Sequence, residues 1–343
     1  MIENLLAYGI WVAIVLIIVG FVALVKGADW LVDGASAIAK RFGISDLIIG
    51  LTVVAFGTSM PEFVVNMMSV AHGTTDLAIT NILGSNIINT FVILGMTALV
   101  YPIAMSASTP IPRSIKAVIT LPLHDLTFPL SIVGGIFVFA AVTINSPLGE
   151  AGKSISALSG AILLFIFVLF LIQTFRHAKA HPETPSEEIK PMPTWKAVCM
   201  IVLGLIGLVI GGELIVDSAV DLATRLGVSE SIIGLTIVAL GTSLPELATS
   251  VMAAFKKNSD IALGNVIGSN IFNIFFVLGA SALIRPLPAY NGITIDAWMA
   301  TLGSIIVWFA LQFNKEHKLS RFTGGLLLAV YIFYLTFRLI HPY

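Results

Sequence analysis

Charge is what this sequence has least of. Among 343 residues, 11% are Asp, Glu, Lys or Arg, 57% are hydrophobic, and the mean hydropathy is +0.99. Soluble domains carry about a quarter charged residues, so these side chains cannot cover a water-facing surface of ordinary size. Cysteine is nearly absent as well. Cys199 is alone and sits in an apolar run, which excludes an intrachain disulfide. No basic cluster is large enough to neutralise a nucleic-acid backbone. Neither GxSxG nor HExxH occurs, and no group of thiols or imidazoles gathers in the sequence. An enzyme and a bound cofactor are therefore not expected. The N-terminus has no basic segment leading into a short apolar stretch with a small-residue cleavage site, so the first apolar run is expected to be retained.

What remains is apolar runs of about 20 residues, the length that crosses a bilayer. The pattern predicts an all-α membrane protein with ten transmembrane helices, at 9–31, 44–71, 77–102, 118–144, 155–175, 196–218, 229–255, 261–285, 293–313 and 322–340. Pro122, His124, Asp125 and Pro129 interrupt the first half of the fourth, where His124 and Asp125 read as a helix end. The one polar stretch of any length, Arg176 to Lys196, reads as a solvated linker containing His177 and His181.

Placing Lys and Arg on alternating sides separates them sharply. Thirteen, including Lys40, Arg41, Lys256, Lys257 and the linker cations, fall on one side, and four, Lys153, Arg225, Arg285 and Arg338, on the other; Lys26 lies within a span. By the positive-inside rule both termini lie outside a cell membrane and the linker lies in the cytoplasm.

The chain also repeats itself. Shifted by 184 residues, Gly43–Gly95 aligns with Gly227–Gly279 without a gap, and 26 of the 53 positions are identical. Upstream, Asp33 and Arg41 meet Asp217 and Arg225. Five spans per copy is an odd number, so the second copy enters the membrane inverted. This predicts two inverted five-helix repeats, 1–175 and 196–343, joined by the linker 176–195, with a site where the repeats meet.

The matched residues are of a kind that carries chemistry. GTSMPE at Gly57–Glu62 and GTSLPE at Gly241–Glu246 each stand mid-span. Pro61 and Pro245 lack an N–H and crowd the carbonyl four residues back, which is tolerated in a membrane only beside protein or a wet cavity. Just past each proline is a carboxylate, at a cost of roughly 2.5–3.5 kcal/mol at mid-bilayer. Two such acids at mirrored positions call for a compensating cation. GSNIINT at Gly84–Thr90 and GSNIFNI at Gly268–Ile274 put Ser85 with Asn89, and Ser269 with Asn273, on one helical face, and Asn81 and Asn265 extend it. Gly84 and Gly268 allow close helix approach. Carboxylates, hydroxyls, amide oxygens and freed carbonyls form an all-oxygen set suited to hard cations such as Ca²⁺ or Na⁺.

Other charges have simpler readings. Asp76 and Asp260 precede helices and read as N-caps. Lys26 and Asp29 are spaced to pair, and Asp33, Asp46, Asp217 and Glu230 fall near the interface.

In these paired motifs the chain resembles the sodium/calcium exchanger family of the cation/calcium antiporter superfamily. The resemblance implies an antiporter in which Ca²⁺ and Na⁺ compete for one site that opens alternately to each side of the membrane. Glu62 and Glu246 then correspond to central Ca²⁺ ligands shared with Na⁺, with Thr58 and Thr242 adding oxygens. Ser59, Ser85, Ser243 and Ser269, with the carbonyls of Ala55 and Ala239, correspond to flanking Na⁺ sites, and Asn89 and Asn273 to the middle. Potassium-coupled relatives carry Asp where Asn273 stands, which disfavours K⁺ co-transport here. The short linker resembles that of prokaryotic members and leaves no room for a regulatory insert.

The expected function is exchange of Na⁺ for Ca²⁺ across the lipid bilayer. A rival on the same fold couples Ca²⁺ to H⁺, since a desolvated carboxylate can titrate near neutrality. A passive cation channel is a second rival, disfavoured because channels usually repeat one helix around an axis. A structural scaffold without transport is the third.

Overall fold

The computed structural model describes residues 9–104, 134–136, 154–180, 192–227, 239–290, 292–313 and 318–340. Among these, α1 is Ile10–Phe42, and α2 is a bent pair, Asp46–Thr58 with Met60–His72. Helix α3 covers 75–100, α4 is Ala157–Ala180, and α5 is Thr194–Arg225. Helix α6 is Leu244–Phe255, α7 covers 259–284, α8 is Ile293–Phe313, and α9 is Arg321–Ile340. Seven of these helices are long and apolar enough to cross a membrane, or eight with α2 as one broken span. The expected fourth span lies outside the described residues except for Gly134–Ile136, as does the first half of the seventh, 229–238.

Helix α1 runs eleven residues beyond the end expected for it. Polar Asp29 and Asp33 do not stop it, because an alanine-rich stretch follows and favours the helix. Gly43 ends it instead, in the left-handed conformation (φ 63°), with Ile44 N–H returning to the Ala39 carbonyl at 2.9 Å. Helix α5 is 32 residues long, and both helices exceed the roughly 20 residues that span hydrocarbon. They pack side by side and antiparallel, Gly20 facing Gly211, Gly27 facing Gly204 and Gly34 facing Ala197. A Cβ on Gly27 would lie 2.7 Å from the Gly204 carbonyl, so only glycine permits this approach.

Helix α2 starts where Ser45 caps it, accepting from Ile48 N–H at 3.2 Å. It passes through a π-helical stretch, Gly50–Val54, and breaks at Ser59 with a 46° bend. Pro61 lies at the start of the second half, where its missing N–H costs nothing. Helix α6 opens the same way, with Pro245 in its first turn after a short helical turn, Ala239–Gly241.

Helices α3 and α7 are central. About 78% of each is buried, against 11% to 28% for α1, α4, α5 and α9. Each is wound as a π-helix mid-way, at Ile88–Ile93 and Phe272–Leu278. Such bulges recur at functional sites, and apolar periodicity gives no sign of them. The expected N-cap roles of Asp76 and Asp260 are not met. The helices begin at Thr75 and Ser259, so both acids lie within the first turn, and Asn258 caps the second, accepting from Ile261 N–H at 3.0 Å.

The all-α expectation misses two short antiparallel pairings that stitch the chain. After α3, β1 (Ile103–Ala104) pairs with β4 (Lys318–Leu319), and β2 (Ser154–Ile155) pairs with β3 (Leu287–Pro288) after α7. In keeping with this, α9 packs on α3 through Gly324 and Gly95, and α4 packs on α7 through Gly160 and Gly279. Each half of the chain thus braces the central helix of the other. Phe56, Phe167, Phe272 and Phe276 fill one such junction, with Phe56 and Phe272 stacked at 4.8 Å.

Candidate cation site

The break of α2 and the start of α6 meet the π-wound middles of α3 and α7, and this is where the motif residues converge. Glu62 and Glu246 are both fully buried. Their contacts cross between the halves. Ser59 donates to Glu246 Oε1 at 2.7 Å, and Ser243 donates to Glu62 Oε1 at 3.3 Å. Ser85 and Ser269 approach the same oxygens, Glu62 Oε1 and Glu246 Oε1, at 3.5 Å each. A helical first turn is a favourable place for a carboxylate, because the unpaired N–H groups there carry positive partial charge.

A second ring of groups holds the first. Asn81 Nδ2 donates to Asn66 Oδ1 at 2.9 Å and approaches the Glu62 carbonyl at 3.5 Å. Asn265 Nδ2 does the equivalent, to Ser250 Oγ at 2.9 Å and the Glu246 carbonyl at 3.2 Å. Thr58 donates to Asn265 Oδ1 at 3.1 Å and lies 3.2 Å from the Ala55 carbonyl, which also accepts from Ser59 N–H at 3.0 Å. Ser269 reaches that carbonyl at 3.5 Å. Thr242 is half-buried beside Glu62, and Ala239 begins the helical turn in the place equivalent to Ala55.

The fit to a cation lies in what these contacts leave over. Glu62 Oε2, Glu246 Oε2, Asn89 Oδ1 and Asn273 Oδ1 are buried and accept no hydrogen bond. A buried carboxylate oxygen without a donor is costly. Here four such acceptors come as two pairs related by the 184-residue shift. All are oxygens, which is the donor set of hard cations.

Of the residues singled out from sequence, Glu62, Glu246, Thr58, Ser59, Ser243, Ser85, Ser269, Asn89 and Asn273 are buried together at this crossing. The sequence reading missed Asn66, Ser250, Asn86 and Asn270. The last two are the Asn of each GSN, identical in both copies, and that identity was the signal available. It also missed the buried Asp296, which accepts from Tyr290 at 2.5 Å, Tyr334 at 2.7 Å and Arg338 Nη2 at 3.0 Å. Burial next to Asp296 raises the Tyr290 phenol far above its ordinary range, so it stays a donor. The expected Lys26–Asp29 pairing gives way to another, since Asp29 Oδ1 and Asp33 Oδ1 both hold Lys256, each at 2.6 Å. Spacing on one helix could not reveal a partner 223 residues away.

A cavity of about 290 Å³ opens beside the site between the second half of α2, α5 and α6. Pro61, Thr242 and Pro245 form its inner wall, and Glu213 and Asp217 of α5 line it further along.

Comparison with known proteins agrees with this architecture. The family model described as sodium/calcium exchanger protein matches residues 12–176 and 196–340. The chain is 40% identical over 338 residues to CaxA of Alkalimonas amylolytica, covering 94% of this chain and 97% of that one. It is 30% identical over 356 residues to the sodium/calcium exchanger MaX1 of Methanosarcina acetivorans, covering 95% and 98%. A solved structure of the sodium-calcium exchanger NCX_Mj, soaked with Na⁺ and Sr²⁺, superposes with a TM-score of 0.77 at 30% identity over 96% of this chain and 99% of that one. These relatives are membrane transporters, not enzymes.

Proposed function

The chain belongs to the sodium/calcium exchanger family of cation/calcium antiporters, and we propose that it exchanges Na⁺ for Ca²⁺ across a cell membrane at a site centred on Glu62 and Glu246. The observation that carries the reading is the set of four buried, donor-free oxygens on Glu62, Glu246, Asn89 and Asn273. One Ca²⁺ neutralises two carboxylates, and so do two Na⁺. A third Na⁺ would leave net charge moving.

In this reading Glu62 and Glu246 ligate both ions, and Thr58 and Thr242 add oxygens to the central position. Ser59 and Ser85, Ser243 and Ser269, with the carbonyls of Ala55 and Ala239, serve flanking Na⁺. Asn89 and Asn273 close the middle, and the amide at Asn273 disfavours K⁺. The halves 1–175 and 196–343 act as inverted five-helix repeats of a ten-span protein. Both termini lie outside, and the linker 176–195 lies in the cytoplasm. The long α1–α5 pair rocks against the bundle that carries the ligands once the carboxylates are neutralised. The antiparallel Gly27–Gly204 contact supports this, since it makes the two helices one stiff unit.

The test is Na⁺-gradient-driven ⁴⁵Ca²⁺ uptake into proteoliposomes. Glu62→Gln and Glu246→Gln should each abolish it, and wild-type rates in either would remove the site. A second reading, H⁺ in place of Na⁺, is favoured by the complete burial of the two acids, whose charge a bound proton removes as a cation would. Uptake driven by a pH gradient alone would establish it.

A further inference from the structure

Beyond the ligand set, the structure assigns Asn86 and Asn270 as positioning residues that aim the amide oxygens of Asn89 and Asn273 at the cation; this rests on the proposed cation site. The wiring is crossed between the halves. Asn273 Nδ2 donates to Asn86 Oδ1, and Asn89 Nδ2 donates to Asn270 Oδ1, both at 3.2 Å. An amide can be turned end for end unless a neighbour fixes its polarity. Asn86 is fixed because its Nδ2 faces the backbone carbonyl of Asn270 at 3.3 Å, and a carbonyl only accepts. Its Oδ1 must then face Asn273, which forces Asn273 to offer Nδ2 there and leaves Asn273 Oδ1 as the buried acceptor without a donor. On the other arm Asn270 Nδ2 donates to Thr90 Oγ1 at 2.8 Å, which gives its Oδ1 to Asn89 and leaves Asn89 Oδ1 without a donor; a hydroxyl can also donate, so the firmer anchor is the Asn86 arm. Asn86 and Asn270 are themselves buried, at 2% and 4% exposure. Turned the other way, Asn89 and Asn273 would present N–H groups and repel a cation.

The test is a double-mutant cycle read by equilibrium ⁴⁵Ca²⁺ binding to the purified full-length protein. Asn86→Ala is expected to weaken binding about tenfold, and to add less than twofold once Asn273→Ala is present. Asn86→Ser serves the same cycle if the alanine variant does not fold. Equal losses in both backgrounds would make Asn86 a packing residue and overturn the assignment, as would an unchanged affinity. If the wild type binds no Ca²⁺, the site itself fails, which is a different result from an additive cycle.

We propose that Lys256, clamped by Asp29 and Asp33, is an electrostatic latch that holds one face of the carrier shut while its repeat equivalent stands open. On the closed face Lys256 Nζ meets Asp29 Oδ1 and Asp33 Oδ1, and Asn258 Nδ2 reaches Ser36 Oγ at 3.2 Å and Asp46 Oδ2 at 2.7 Å. Shifted by 184 residues these become His72, Glu213 and Asp217, with Thr74 in place of Asn258. There, both reaching groups turn back on their own segment. His72 Nδ1 lies 2.8 Å from the Met68 carbonyl, and Thr74 donates to the Ser69 carbonyl at 3.0 Å.

Helix packing shows the same asymmetry. Ala28 and Val32 of α1 join one core cluster with Leu244 and Ala248 of α6. Their equivalents, Gly212 and Val216 with Met60 and Val64, stand apart and line the cavity. The same contact is made on one face and parted on the other. Lys256 meets two carboxylates across the helices while His72 turns to its own helix, so the Lys256 face is the better latched. Under the proposed orientation that face is cytoplasmic.

Labelling with a charged maleimide tests this without requiring transport. With Cys199→Ser as background, Val216→Cys is expected to react fast and Val32→Cys slowly. Lys256→Gln should slow the first and speed the second about three- to tenfold, and Lys256→Arg should restore the original rates. The paired Asp29→Asn and Asp33→Asn variant reads the latch from its other partner if Lys256→Gln does not fold. Unchanged rates in all of them would overturn the latch. Equal rates at both positions in the otherwise wild-type background would overturn alternating access itself.

Discussion

Ser59 sits at the break of one half of the protein and gives its hydroxyl to Glu246 of the other at 2.7 Å, while Ser243 returns the bond to Glu62 at 3.3 Å. Neither carboxylate is held by the break that precedes it. The site therefore exists only where the halves cross, and each serine ties the approach of one acid to the position of the other.

Removing that hydroxyl takes away the shortest hydrogen bond of Glu246 Oε1 and leaves the longer contact to Ser269. A hydrogen bond to a charged group contributes about 1.5–3 kcal/mol. Ser59→Ala is expected to raise the Na⁺ concentration for half-maximal ⁴⁵Ca²⁺ exchange about tenfold. The same change at Ser243, whose bond is longer, should have a smaller effect. Dose–response curves in proteoliposomes check both, and unchanged curves would separate these serines from ion binding.

The acids also set a direction with pH. At the proposed site Ca²⁺ needs Glu62 and Glu246 ionised, and each proton bound removes charge from the site. Apparent Ca²⁺ affinity is therefore expected to fall as pH falls, approaching two protons released per Ca²⁺ bound. Titration calorimetry in buffers of different ionisation enthalpy counts those protons. A count of zero would mean that the acids do not exchange protons for the ion.

Much of this arrangement was legible in the sequence because duplication marked it twice. GTSMPE and GTSLPE point to Glu62 and Glu246 whatever the fold, since a buried acid beside a helix-breaking proline is too costly to occur twice without use. The break of α2 falls just before Pro61, and α6 begins one residue before Pro245. The π-helical middles were not legible, because hydrophobicity reads the same through Ile88–Ile93 as through a regular helix. Nor was the stitching of β1 to β4, or the clasp of Lys256 by Asp29 and Asp33. These are contacts between distant segments, set by how the helices pack rather than by any local pattern.

Away from the site, Asp296 ties α8 to α9 through Tyr334 and Arg338 and also holds Tyr290 before α8. Truncating the centre of such a buried network is expected to cost about 3–5 kcal/mol. Asp296→Ala should lower the unfolding temperature of the detergent-solubilised protein while leaving Ca²⁺ affinity in the folded fraction unchanged. A loss of affinity at full stability would place Asp296 in the transport path instead.

The α1–α5 contact separates stability from motion. A Cβ on Gly204 would lie 2.8 Å from the Gly27 carbonyl, so a side chain there forces the two backbones apart. Overpacking of this kind typically costs about 1–3 kcal/mol. Gly204→Val is expected to leave equilibrium Ca²⁺ binding within about twofold, since the proposed ligands stand on α2, α3, α7 and residues 239–246, not on α1 or α5. Exchange, which in the proposed mechanism needs the pair to move as one unit, should fall at least tenfold. Binding and flux measured on the same preparation decide it. If both fell together, the long helices would be part of the binding scaffold, and if neither fell, they would not be the moving element.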